Sequence, residues 1–134
     1  MMQKADKRNE IIRSFRKFAR LGLDNELLSP IQVYKKIDFL CISKRSRLDM
    51  LSVYDTLRLL WLNDEKSTIE AIKSVYFDKK AHRLTKHDIS TQVLSLAQEN
   101  HCDERTIYRR LERARQIYEK IREREELLLD ELDR

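Results

Sequence analysis

The chain has 134 residues, 41% hydrophobic and 38% charged, enough apolar content for one core, or two small helical units sharing it, beneath a densely ionic surface. Glycine and proline together supply 2 of the 134 residues, about 1.5% against roughly 12% in an average protein. That deficit excludes sandwiches and barrels, which need frequent turn residues, and also glycine-rich phosphate loops, because Gly22 stands alone. The reading is an all-α protein of about six helices. Net charge is +5 but uneven. Residues 1–47 carry 12 Lys/Arg against 5 Asp/Glu, 48–102 carry 7 against 8, 103–115 carry 5 against 3, and 116–134 carry 4 against 7. A basic balance suits a polyanionic partner, although such runs are more often solvated helix faces.

Asp6 is placed to cap a helix over about 7–21, with Ile11, Ile12, Phe15, Phe18 and Ala19 on its buried face and Gly22 at its stop. Ser29-Pro30-Ile31-Gln32 forms a capping box with proline at the first helical position, opening a helix through about Ile42. Ser46 repeats that logic for a helix from Leu48 to Leu62. Apolar on more than one face through Leu51, Tyr54, Leu57, Leu59 and Trp61, it is the expected central helix. Ser67-Thr68-Ile69-Glu70 reads as a third box, launching a helix with Ile69, Ile72, Val75 and Tyr76 inward. Polar residues 78–84 form a linker. Thr85 caps a helix to about Glu99, with Ile89, Val93, Leu96 and Ala97 on one face, and Asp103 caps a last helix running to Leu132.

The break between the last two helices is the most informative stretch. Ala97 is small enough for a helix crossing, Cys102 can plug the turn, and Asp103 can cap the second helix of the pair. Ile107 and Leu111 can anchor that helix against the first. Opposite them, at about 100° per residue, fall Arg105, Arg109, Glu112 and Arg113, with Tyr108 on the flank. The run Glu104-Arg105-Thr106-Ile107-Tyr108-Arg109-Arg110-Leu111 resembles the recognition helix of sigma-factor region four. The upstream Ile72-Lys73-Ser74-Val75-Tyr76-Phe77-Asp78-Lys79-Lys80 resembles the ArpU/RinA-like phage late-gene transcriptional regulators. The likeness covers about 64–122 and implies a helix-turn-helix in a DNA-binding region, 64–134, after a basic helical region, 1–63. Two positions depart from the pattern. His101 stands where glycine is usual, at a backbone needing positive φ, and Asn100 stands where an aliphatic is usual.

On this reading the protein is a sequence-specific transcriptional regulator binding double-stranded DNA. The alternatives are a small-terminase-like packaging oligomer and a protein-binding helical adaptor. Asp103, Glu104, Arg105, Tyr108, Arg109 and Glu112 would approach base edges. Arg110, Arg113 and Arg115, with Thr91 and Gln92 on the supporting helix, would take phosphates. The cations of the first helix, Lys4, Lys7, Arg8, Arg13, Arg16, Lys17 and Arg20, would serve a second DNA contact or a surface facing RNA polymerase. Tyr118, Ile121, Glu125, Leu128 and Leu132 continue a heptad seam broken only at Glu125. The seam is open either to a second copy, giving a homodimer, or to the N-terminal helices of the same chain.

Enzyme readings find no residues to stand on. His82, His87, His101 and Cys102 lack paired ligand spacing, so no metal or cofactor is assigned. Cys41 reads as a small buried hydrophobe, and Trp61 and Phe77 as core. Two separated cysteines fit a reducing compartment, and neither a leader's apolar region nor a membrane span is evident, so a cytoplasmic protein is expected.

Overall fold

A computed structural model of the chain describes residues 3–77 and 85–132. The linker at 78–84, with His82 and the last three residues of the 72–80 motif, lies outside the described residues. The described chain is all-helical: α1 (Lys4–Arg20), α2 (Pro30–Leu40), α3 (Lys44–Leu62), α4 (Lys66–Ala71), α5 (Lys86–Glu99) and α6 (Glu104–Leu132). α4 continues into a π-helical turn over Ile72–Tyr76. No helix among these residues is long and apolar enough to cross a membrane.

The Ser29 capping box forms as expected, and the expected Thr85 cap forms as part of a second box. The Ser29 hydroxyl accepts from the Gln32 amide at 3.3 Å and the Gln32 side chain accepts from the Ser29 amide at 2.8 Å. Thr85 and Asp88 repeat the exchange at the start of α5 at 3.1 and 3.0 Å. Three other starts differ. α1 begins at Lys4 after an uncapped Gln3, so Asp6 lies inside the first turn, where a carboxylate complements the helix dipole. α3 begins one turn before Ser46 because Ser43 accepts from the Ser46 amide at 3.0 Å. The Ser46 hydroxyl instead accepts from Lys17 at 2.5 Å. α4 begins at Lys66 without a side-chain cap, so the Ser67 box does not form. Its start is set by a tight reversal in which Asp64 takes φ +57° and the Glu65 amide donates to the Leu60 carbonyl at 2.9 Å.

That closure recurs. Gly22 (φ +74°) precedes a Leu23-to-Phe18 bond of 3.1 Å, and His101 (φ +52°) precedes a Cys102-to-Ala97 bond of 3.0 Å. Each satisfies a carbonyl that the preceding helix leaves unpaired. The positive φ expected at His101 is therefore present.

One contiguous core runs from Ile11 to Tyr118 and draws on both halves of the chain. Phe15 of α1 lies 5.5 Å from Tyr76, 6.4 Å from Phe77 and 5.6 Å from Tyr118 between ring centroids. Phe18 stacks on Phe77 at 5.8 Å and on Tyr54 at 6.4 Å. α3 is central as expected, packing against α1, α2, α4 and α6. Its buried face, however, is Leu48, Met50, Val53 and Leu60, with Leu51, Tyr54 and Leu57 partly covered and Leu59 exposed. Trp61 is 65% exposed rather than core, with the Lys66 ammonium 5.8 Å from its ring centroid. Phe77 is buried.

α6 runs antiparallel to α3, with Arg113 meeting Glu65 at one end and the Arg122 Nε donating to Asp49 at 2.9 Å near the other. This uses the heptad seam within the chain as far as Glu125, which corrects Tyr118 and Ile121 as a surface for a second copy. Tyr118 is buried and its hydroxyl donates to Ser14 at 3.1 Å, while Ile121 is half-buried against the core. Leu128 and Leu132 stay exposed.

Glu125, the break in the seam, sits half-buried on α3 in a carboxyl–carboxyl hydrogen bond with Asp55. Burial, then the Asp55 contact, pushes its carboxyl from an ordinary value near 4.5 up to about 8. The folded chain thus holds this proton more tightly than the unfolded chain does. The group's contribution to stability declines as pH rises from about 4.5 to about 8 and is level above. Thermal melts of dilute protein should show the midpoint falling across that window, and Glu125→Gln should remove this component of the fall.

Candidate nucleic-acid interface

α5 and α6 meet through Val93, Leu96, Ala97, Ile107 and Leu111, all buried, with Ala97 giving the close approach that a larger side chain would block. The turn over 100–103 is closed by the His101 conformation, and Cys102 is half-buried against the core. Asp103 precedes the first residue of α6, its carbonyl accepting from the Thr106 amide at 3.0 Å. Ile107 and Leu111 fix the rotation of α6, so its opposite side faces solvent. Asp103, Glu104, Arg105, Tyr108, Arg109 and Glu112 are all exposed there.

The residues assigned to phosphates divide. Thr91 is exposed with its hydroxyl donating to the His87 carbonyl at 3.0 Å, whereas Gln92 and Arg110 are half-buried. Arg113 is exposed but forks onto both Glu65 carboxylate oxygens at 3.3 and 3.4 Å. Arg115, expected to take a phosphate, is half-buried and donates to the Tyr76 hydroxyl at 2.7 Å. It ties α6 to the π turn, because burial takes the Tyr76 phenol out of water and the guanidinium supplies its hydrogen bond. Burial pushes the Tyr76 phenol's pKa up, against the opposing pull of Arg115. Neither partnership has a local sequence signal, since Glu65 and Tyr76 lie 48 and 39 residues from the arginines they bind.

The cations of α1 also divide. Lys7 pairs with Glu119, Lys17 donates to Ser46, and Arg16 is buried, while Lys4, Arg8, Arg13 and Arg20 remain exposed. A cleft of about 670 Å³ lies between α1, α3 and α6. Its charges are largely spent on one another, as Lys7 with Glu119, Arg45 with Glu10 and Arg122 with Asp49.

Two stability measurements check this partition. Arg16→Gln should cost about 1–2 kcal/mol, since it abandons a buried, partnered guanidinium, whereas Arg13→Gln should stay within about 0.5 kcal/mol of the parent. His101→Gly should stabilise the fold by about 0.5–1 kcal/mol, because glycine adopts this φ without a Cβ penalty. Denaturant titrations read both. Compared with known proteins, the chain matches no family model, no curated protein and no solved structure.

Proposed function

We propose that the protein is a sequence-specific DNA-binding transcriptional regulator in which α5, the turn and α6 form a helix-turn-helix. The observation that carries this reading is the fixed rotation of α6. Ile107 and Leu111 are fully buried while Arg105 and Arg109, one turn apart, project from the opposite side. An arginine so held can offer two parallel donors to the two major-groove acceptors of guanine. The tight left-handed turn and the small residue at the helix crossing support the same reading. The resemblance of 72–80 and 104–111 to ArpU/RinA-like regulators supports, within it, a late-gene activator of a phage or mobile element.

Phosphate contacts fall to Arg110 and the exposed Thr91, with Arg113 available on release from Glu65. The exposed Lys4, Arg8, Arg13 and Arg20 of α1 form a separate basic surface, suited to a second stretch of duplex or to RNA polymerase.

Selection of a duplex from a random library by the full chain should return a consensus. Arg109→Ala should then cost about 1–3 kcal/mol on that duplex and relax preference at one base position. Arg110→Gln should weaken selected and random duplexes alike and lower the salt slope by about 0.9. Equal losses on both duplexes for Arg109→Ala remove it from base readout, and a selection without consensus overturns the reading.

A further inference from the structure

Two exposed stripes of opposite character remain after the core and the α5–α6 surface are accounted for. The first is on α2. Ile31, Lys35 and Phe39 recur every four residues on its outer side, and Ile42 lies just past its end. The three apolar members are 66% to 91% exposed. The second straddles α3 and α6. Asp55, Leu59 and Leu62 share one side of α3, and Glu125, Leu128 and Leu132 share one side of α6. The two rows join where Glu125 meets Asp55, with Leu62 75% and Leu132 81% exposed towards opposite ends. The first stripe is a lysine among apolar side chains; the second is a pair of carboxyls among leucines.

We propose that a second copy of this chain seats the α2 stripe of each protomer on the α3–α6 stripe of the other, Lys35 meeting the Glu125–Asp55 pair. Charge complementarity selects this occupant. The nearby Arg122 acts on Glu125 only from a distance, its guanidinium being held by Asp49 and approaching Glu126 at 3.3 Å, so the carboxyl pair is left with room for a cation in contact. A lysine among apolar residues supplies both what the carboxyls need and what the leucines need. The chain already displays that combination on α2. α2 packs on α3 through Tyr34 and Tyr54, 5.5 Å between ring centroids, so the two stripes are carried by neighbouring elements. A reciprocal exchange about a two-fold axis therefore makes the same contact twice and closes the assembly as a dimer. The tips of α6 serve this interface from Glu125 onward, unlike a coiled coil of two α6 helices, which would leave Lys35 and Phe39 in solvent.

The dimer is independent of DNA recognition, and sedimentation equilibrium of the full chain without DNA tests it. The parent should be dimeric at tens of micromolar, roughly the range of a weak specific association. Lys35→Glu, at an exposed site on an otherwise unchanged helix, should weaken dimerisation by about tenfold or more, as should Glu125→Lys. Mixing the two variants should restore dimers, because in the mixed pair one contact is native and the other is charge-swapped. A parent monomeric at about 100 µM overturns the proposal and leaves the face to another protein. So does a Lys35→Glu variant that dimerises as tightly as the parent, or a mixture that stays monomeric. If Glu125→Lys does not fold by circular dichroism, Leu132→Arg replaces it and should also weaken the dimer.

Discussion

Phe15 has no exposed surface, and its ring touches three aromatic residues from two later parts of the chain. Tyr76 and Phe77 come from the π turn and its end, and Tyr118 from the middle of α6. A helix whose outer positions are thick with cations is thereby committed to the interior. Burying such a ring contributes on the order of 2–3 kcal/mol before the aromatic pairs are counted. The same cluster sets the height at which α6 crosses α1, and the hydrogen bonds of Tyr118 to Ser14 and Asp49 fix its rotation. The orientation of the arginine face near residue 109 thus rests on these remote contacts as well as on its local anchors Ile107 and Leu111.

α6 serves two regions with one uninterrupted rod. Its first turns pack on α5 and present arginines outward; its later turns lie along α3 and end in exposed leucines. Because 29 residues at about 1.5 Å each span some 43 Å, the outward arginines and the acidic end are held at a fixed separation and a fixed relative rotation. The ion pairs at Glu65 and Asp49 bracket that rod at two levels.

Much of the architecture was legible because local chemistry determines it. The Ser29 and Thr85 boxes, the Gly22 stop and the positive φ at His101 all depend on residues within a few positions of one another. Helix starts near Ser43, Ser46 and Ser67 were harder, since several hydroxyls of equal capping ability stand in line. The choice among them was made by a distant lysine in one case and by the Asp64 reversal in the other. Period alone also cannot say who fills a seam: Tyr118 and Ile121 have coiled-coil spacing, yet their partners are α1 and α3 of the same chain. For the candidate interface, the exposure of Arg105 and Arg109 followed from the helical period. The engagement of Arg113 and Arg115 did not, because it depends on how α6 lies against α4 and the turn after it.

The π turn at Ile72–Tyr76 has a consequence for how the chain tolerates changes in length. Its Phe77 amide reaches back five residues to the Ile72 carbonyl at 3.1 Å, which accommodates one residue more than an α-turn holds. Val75, Tyr76 and Phe77 are all buried in succession at this wider turn. Because the widening absorbs that extra residue, loss of one residue there restores an α-turn while the preceding and following positions keep their phase. A deletion in this stretch therefore subtracts one member from the buried run Val75, Tyr76 and Phe77 without turning the rest of the helix, and its cost is that of a lost core contact.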